Sequence, residues 1–120
     1  MVNEKNERIT DLSYLEQLSN GDKGFVKEMI EVFIVQTPEG LDNLERHLSN
    51  KDWKMVRAVA HKMKPSFTFV GVKELTGVMG LIEEYAESQT HLELIPDLLV
   101  KVKSSCAKAM IELEAAKNFF

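Results

Sequence analysis

Apolar residues recur at helical spacing along most of this 120-residue chain, and no run alternates apolar and polar residues as a β-strand does. Four segments carry the pattern, at about residues 22–48, 53–70, 75–86 and 92–118. In the second segment the apolar residues follow one another at intervals of 3 or 4: Trp53, Val56, Ala60, Met63, Phe67 and Val70. The pattern therefore predicts four substantial helices.

Capping residues mark where the predicted helices begin and end. Thr10 or Asp11 is suited to cap a short additional helix that runs to about Leu18, and Asp22 follows an Asn-Gly turn and caps the first long helix. Gly71 ends the second long helix, where a glycine is suited to a left-handed C-terminal cap. The connections are short, which is typical of neighbouring helices that run antiparallel.

All three prolines of the chain, Pro38, Pro65 and Pro96, fall within the predicted long helices. Pro38 predicts either one long helix kinked near residues 36–38 or two helices in succession, whereas Pro96 is tolerated in the first turn of the last helix. The segments together predict an all-α fold, an antiparallel up-and-down four-helix bundle with a short additional N-terminal helix. We expect residues 1–9, which are mostly polar, to be a flexible N-terminus and residues 10–120 to form one domain.

The composition is that of a single soluble domain, with 44% hydrophobic and 28% charged residues. The formal net charge of −4, from 15 Lys+Arg and 19 Asp+Glu, argues against a surface built to bind nucleic acid. No segment is apolar enough to span a membrane, and no secretory signal opens the chain. The single cysteine, Cys106, continues an apolar stripe and is predicted to be buried. We therefore expect a cytoplasmic domain, although a larger parent protein could be membrane-anchored.

Motifs for catalysis are scarce. The chain has no P-loop, GxGxxG, GxSxG, HExxH or CxxC motif, so nothing supports nucleotide binding, zinc chemistry or acyl transfer. His47, His61 and His91 are too far apart in sequence to predict a metal site. Glu83 and Glu84 are adjacent, so they point about 100° apart on a helix and are interpreted as a solvated face.

His61 differs from the other two histidines in its position on the second long helix. It lies roughly 125° from the centre of the apolar stripe and so faces solvent or a partner. Lys54, Arg57 and Lys64 share its side of the helix, and residues 51–64, with five basic residues and one acidic, sum to +4 against −8 for the rest of the chain. An exposed imidazole among cations is suited to accept a phosphoryl group, because the cations disfavour its protonated form and stabilise the attached anion. An ordinary surface histidine on a basic helix face is the other interpretation.

The residues around His61 resemble a known signature. Ala-His-Lys-Met-Lys-Pro-Ser at 60–66, followed by Gly71 and Leu75, is similar to the AHxxKxS…G…L pattern of histidine-containing phosphotransfer (HPt) domains of bacterial two-component phosphorelays. The likeness covers roughly residues 10–118. It implies a helical bundle that carries a phosphohistidine and exchanges the phosphoryl group with the aspartate of response-regulator receiver domains.

The resemblance also implies roles for individual residues. His61 matches the phosphorylated histidine, Lys64 the lysine that flanks the phosphoryl group, and Gly71 the glycine that ends the helix. His61 would accept a phosphoryl group from one receiver domain and pass it to another, so the chain would be a phosphohistidine carrier with no ATP-dependent kinase activity of its own. The residues expected to support the phosphoryl group or to dock the partner are Lys54, Arg57, Ala58, Pro65 and Thr68.

Pro65 departs from the pattern, because many members have glycine after the lysine. A proline there lacks a backbone N–H and is expected to bend the helix just beyond His61, which affects the fit of the partner more than the chemistry. Phe69 lies on the side of His61 if the helix continues that far, and folds back onto the core if the helix has ended.

Receiver domains are the partners that the resemblance implies, and a hybrid sensor histidine kinase, in cis or in trans, is compatible with it. We expect no cofactor to be bound by this chain and Mg²⁺ to come with the receiver partner, because the sequence shows no carboxylate cluster to hold the ion. We also expect a monomer without nucleic-acid or membrane contacts. The alternative function is a non-catalytic helical module that docks receiver domains without phosphotransfer.

Overall fold

The computed structural model describes residues 8–120, which form five α-helices and two short 3₁₀ turns, with no β-strand among them. The prediction of an all-α chain is confirmed for these residues, whereas the segment 1–9 that was expected to be flexible lies mostly outside them. The helices are α1 (Ser13–Ser19), α2 (Lys23–Ser49), α3 (Trp53–Phe69), α4 (Lys73–Ser88) and α5 (Ile95–Ala116), and the 3₁₀ turns are Leu92–Leu94 and Lys117–Phe119. Within residues 8–120 no helix combines the length and the apolar character that crossing a membrane requires.

Aspartate side chains cap the N-terminal ends of α2 and α3. The Asp22 carboxylate accepts a hydrogen bond from the Phe25 N–H (3.1 Å), as predicted, and Asp52 accepts one from the Met55 N–H (3.3 Å) at the start of α3. Each carboxylate satisfies a backbone donor that the first turn of a helix leaves without a partner. These local contacts fix where α2 and α3 begin.

The start of α1 differs from the prediction. α1 begins at Ser13, directly after Leu12, so neither Thr10 nor Asp11 is its N-cap. Asp11 accepts a hydrogen bond from the Ser13 N–H (2.9 Å), while Thr10 is buried and its hydroxyl donates to Glu112 of α5 (2.7 Å). Thr10 is therefore engaged in a contact between segments more than a hundred residues apart, which the local sequence could not show.

Prolines are accommodated inside three of the helices. α2 runs without interruption through Pro38, so the alternative of two helices in succession is wrong. Pro65 likewise lies within α3, and Pro96 occupies the first turn of α5. Because proline has no N–H, the carbonyl of His61, four residues before Pro65, lacks its usual helical donor.

The four long helices pack in a ring: α3 lies against α2 and α4, and α5 lies against α4 and α2. The most extensive contact joins α3 and α4, and α1 packs on α2. In the core, the rings of Phe33 and Phe67 meet edge to face with centroids 5.8 Å apart. The other large, fully buried side chains include Leu15, Ile30, Leu44, Leu75, Met79, Ile82, Ile95 and Leu113.

The turn between α3 and α4 is built around Gly71, which has a φ of +75°. The Val72 N–H donates to the Phe67 carbonyl (2.9 Å) and the Gly71 N–H donates to the Thr68 carbonyl (3.1 Å), the two bonds of a Schellman motif. A side chain at position 71 would also clash with the backbone of Asp11. This tight turn sets α3 and α4 side by side, and the site lies along their contact.

Candidate functional site

His61 lies in the middle of α3 with its side chain 65% exposed, so it faces solvent as predicted. The neighbouring Ala60 and Met63 belong to the buried stripe of the same helix. The Nδ1 atom of His61 lies 2.7 Å from Oε2 of Glu83 on α4. The exposed histidine is therefore held by a carboxylate from the next helix.

The interpretation of Glu83 as part of a solvated face is wrong. Its side chain is only 15% exposed, whereas Glu84 is exposed. Besides His61, the Glu83 carboxylate contacts the Lys64 ammonium, with Nζ 2.7 Å from Oε1, and the Arg57 guanidinium, with Nη1 3.7 Å from Oε2. Three basic side chains of α3 thus converge on one carboxylate of α4.

This carboxylate is ionised at neutral pH. The Lys64 ammonium, together with His61, holds the pKa of Glu83 below the usual value of 4.5, although partial burial acts in the opposite direction. Oε1 is buried, and within residues 8–120 Lys64 is its polar partner. The site therefore contains a fixed negative charge beside the imidazole, in addition to the cations that the sequence predicted.

The contact with Glu83 determines which nitrogen of His61 is reactive. An ionised carboxylate only accepts hydrogen bonds, so Nδ1 of His61 must be the donor. In the neutral imidazole the other nitrogen, Nε2, then carries the lone pair. Nε2 is therefore the atom that can attack an electrophile.

The pairing of α3 with α4 explains why these side chains meet. Residues at equal distances from Val72 face each other across the two helices: His61 and Glu83 are each 11 residues from it, and Thr68 and Thr76 are each 4 residues from it. The hydroxyl oxygens of Thr68 and Thr76 lie 3.3 Å apart. The Schellman turn thus sets the register that brings a carboxylate to the histidine.

A shallow groove of about 460 Å³ adjoins His61. The rings of Tyr14 and Phe69 stack within it, with centroids 6.0 Å apart and planes inclined by 13°. α3 does continue to Phe69, which is half-buried against the core and also lines the groove, so each alternative for this residue holds in part. The residues that line the groove beside His61 are Tyr14, Lys64, Pro65, Thr68, Phe69, Thr76 and Gly80.

The remaining candidates lie apart from this groove. Lys54 and Ala58 are exposed on α3 without lining it, and Arg57 contacts Glu83 without lining it. Cys106 is buried in α5, where burial raises the pKa of its thiol to about 12. The prediction of a buried cysteine is confirmed.

Four residues of the site were missed from the sequence: Glu83, Gly80, Thr76 and Tyr14. The first three could have been found by counting equal distances on either side of Val72, once α3 and α4 were taken as antiparallel neighbours. Tyr14 has no such signal, because the position of the short helix α1 depends on contacts with distant segments.

Comparison with known proteins agrees with this geometry. The model of the Hpt domain family matches residues 28–116. The crystal structure of histidine-containing phosphotransfer protein B (HptB) from Pseudomonas aeruginosa PAO1 is similar, with a TM-score of 0.85 and 21% sequence identity over 95% of this chain and 98% of that chain. No curated protein matches the chain.

The family match covers most of the chain and confirms the resemblance seen around His61. At 21% identity the match to the solved structure shows the fold. The chain belongs to the Hpt domain family, and its role is phosphotransfer within a phosphorelay.

Proposed function

We propose that His61 is the residue that carries the phosphoryl group. It accepts the group from the aspartyl phosphate of one response-regulator receiver domain and passes it to the aspartate of another. The observation that supports this most strongly is the exposed imidazole whose Nδ1 is bonded to Glu83, which leaves Nε2 as the nucleophile. In this proposal the chain is a phosphohistidine carrier and has no ATP-dependent kinase activity.

The proposed transfer step forms one bond to phosphorus and breaks another. The Nε2 lone pair forms the N–P bond while the bond from phosphorus to the aspartate oxygen breaks, and the aspartate leaves as a carboxylate. The ring of His61 gains positive charge as the N–P bond forms, and the Glu83 carboxylate, 2.7 Å from Nδ1, stabilises that charge. In the reverse direction the same electron pair returns to Nε2.

Lys64 and Arg57 are the cations closest to this chemistry. Both contact Glu83 in the unphosphorylated chain, and Lys64 is about one-third exposed. A phosphoryl group brings about two negative charges at neutral pH. We propose that it draws the Lys64 ammonium partly away from Glu83, while Lys54, Ala58, Pro65 and Thr68 contribute to the surface that the receiver domain covers.

The wider expectations belong to the same proposal. Mg²⁺ comes with the receiver domain, and a hybrid sensor histidine kinase, in cis or in trans, is a further source of phosphoryl groups. The ring of α2 to α5 supports an antiparallel up-and-down four-helix bundle with α1 added at its N-terminal side. The domain acts as a cytoplasmic monomer, without nucleic-acid or membrane contacts.

The test is transfer from a phosphorylated receiver domain. Receiver domains from the same genome, phosphorylated with acetyl phosphate, are incubated with the wild-type chain, with His61→Gln and with His91→Gln as a matched control. We expect an acid-labile, alkali-stable label on the wild type and on His91→Gln, and none on His61→Gln, because glutamine has no nucleophilic nitrogen at this site.

The same experiment separates the proposal from its alternative. A chain that binds receiver domains but carries no label would be a docking module without phosphotransfer, and the proposal would be wrong. Label that persists on His61→Gln would assign the chemistry to another residue.

A further inference from the structure

α4 contains two glycines, Gly77 and Gly80, at positions where glycine is unfavourable. After proline, glycine is the residue that least favours a helix interior, and both positions lie well within Lys73–Ser88. A Cβ atom built at either position would meet no heavy atom of the described residues within 4 Å. Packing within the chain therefore does not explain either glycine.

The two glycines differ in their relation to the reactive histidine. Gly80 lines the groove together with His61, Lys64 and Pro65, whereas Gly77 is exposed and does not line it. By the register of α3 and α4, Gly80 faces Lys64, since each is 8 residues from Val72. The missing side chain at position 80 thus leaves space directly beside the site of transfer.

We propose that Gly80, because it has no side chain, leaves the receiver domain room to approach His61. This inference rests on the proposed function. In-line transfer requires the partner's aspartate oxygen and the Nε2 atom of His61 to flank one phosphorus atom, with reacting atoms about 3–3.5 Å apart. The partner must therefore lie against the walls of the groove, and a side chain at position 80 would hold it away from His61. A displacement of about 1 Å can reduce a rate by about 10²-fold.

The occupant that fits is a receiver domain, because only the phosphoryl donor or acceptor has to approach His61 this closely. The surface around Gly80 also carries Lys64, a basic side chain of α3 that is about one-third exposed. A cation here matches a partner whose reacting group is an aspartate or its phosphate. Gly80 would then determine how deeply that partner can dock.

The experiment compares Gly80→Ala and Gly80→Leu with Gly77→Ala and Gly77→Leu as matched controls on the same helix. Each variant is phosphorylated in two ways: by a phosphorylated receiver domain, and by phosphoramidate, which is small enough to react without docking. We expect Gly80→Leu to slow transfer from the receiver at least tenfold and Gly80→Ala to have a smaller effect, while both Gly77 variants stay within twofold of the wild type.

Two further readouts show whether the side chain acts on the partner. Labelling by phosphoramidate is expected to be equal in all variants, and both alanine variants are expected to melt at temperatures about 2–6 °C higher, because alanine favours the helix. A Gly80 variant that is more stable but accepts the phosphoryl group from the receiver more slowly would support the proposal. If Gly80 had a structural role instead, its replacement would lower the stability.

Two results would overturn the inference: equal transfer rates for Gly80→Leu and Gly77→Leu, or a loss of phosphoramidate labelling in Gly80→Leu that matches its loss of transfer. The second result would mean that the leucine disturbs His61 itself. If the wild type accepted phosphoryl groups from phosphoramidate but from no receiver domain, the proposed relay function would fail first, and this inference with it.

Discussion

At the scale of single residues, Glu83 determines which tautomer His61 adopts. A histidine surrounded only by cations has no fixed tautomer, because no neighbouring side chain accepts a hydrogen bond from either ring nitrogen. The carboxylate 2.7 Å from Nδ1 supplies that acceptor, and Lys64 and Arg57 offset its charge. The site is therefore a mixed cluster in which one acidic side chain orients the nucleophile.

Removal of this carboxylate is expected to slow phosphotransfer. Glu83→Ala should lower the transfer rate by about tenfold, since a charge-assisted hydrogen bond contributes about 1.5–3 kcal/mol and the variant lacks the part of it that develops as the ring becomes charged. Glu83→Gln should have a smaller effect, because its carbonyl oxygen can still accept from Nδ1. Transfer from a labelled receiver domain measures both rates.

A structural role of Glu83 would not change the tautomer of His61, so nitrogen-detected NMR of the ring separates the two roles. We expect the wild type to hold its proton on Nδ1 and Glu83→Ala to populate both tautomers. An unchanged tautomer in Glu83→Ala would contradict the assignment of Glu83 as the positioning residue.

How much of this site the sequence could predict depends on the range of each contact. The exposure of His61 follows from the spacing of Ala60, Met63 and Phe67 on one helix, and that prediction is confirmed. The contact with Glu83 depends on how α3 and α4 are paired, so the spacing within α4 alone placed its side chain in solvent. The spacing of apolar residues in one helix shows which of its sides is buried. A contact between side chains of two helices can be predicted only when the register of those helices is known.

At the scale of elements, the segment that leads into α1 is held by contacts with two other helices. Glu112 of α5 accepts hydrogen bonds from the Ile9 N–H (3.1 Å) and from the N–H (3.0 Å) and hydroxyl (2.7 Å) of Thr10. The Asp11 N–H donates to the Val70 carbonyl (2.9 Å) at the end of α3. These contacts place α1, and with it the Tyr14 ring, beside the groove.

Gly71 is expected to be the glycine that tolerates substitution least. Gly71→Ala must adopt a φ of +75° and would also clash with the backbone of Asp11, so we expect a loss of about 3 kcal/mol or more in the free energy of unfolding. Gly21→Ala is the matched control, because Gly21 has a φ of +91° but open space around it.

For that control the backbone strain alone should cost about 1–2 kcal/mol. Urea unfolding of the two variants measures the difference. Equal losses in the two variants would mean that the close approach of Asp11 to Gly71 contributes nothing to stability.

Glu112 makes the attachment of the α1 segment dependent on pH. Burial raises the pKa of this carboxyl, but the hydrogen bonds from Thr10 and Ile9 outweigh burial and hold the pKa below 4.5. A lowered pKa in the folded state stabilises the fold above the unfolded pKa, and this stabilisation is lost as pH falls through the folded pKa.

We therefore expect the melting temperature to fall less between about pH 6 and pH 3 in Glu112→Gln than in the wild type, because glutamine does not titrate. Melting curves over this range test the prediction. Glu83, whose pKa is also lowered, is present in both chains, so the difference between them isolates Glu112. Parallel pH profiles for the two chains would contradict the assigned role.

At the scale of the whole molecule, the distribution of charge matters more than its sum. Residues 51–64 carry +4 on the start and exposed side of α3, and the remaining residues sum to −8, which gives the net −4. Glu83 offsets the positive charge of the side chains that it contacts around His61. The cations that attract a partner over a distance are therefore those that do not contact Glu83. Lys54 and Lys62 are exposed residues of this kind.

This asymmetry predicts that encounter with an acidic receiver surface depends on salt. Opposite charges raise association rates, and at 0.1 M ionic strength screening acts over about 10 Å. The second-order rate of phosphotransfer should therefore fall several-fold as salt rises from about 50 to about 500 mM.

The double variant Lys54→Glu, Lys62→Glu tests which cations cause this dependence. Its rate of phosphotransfer should be low at low salt and nearly independent of salt. Lys108→Glu, on the helix diagonally opposite α3, should keep the wild-type dependence, and a salt-independent wild-type rate would exclude electrostatic steering.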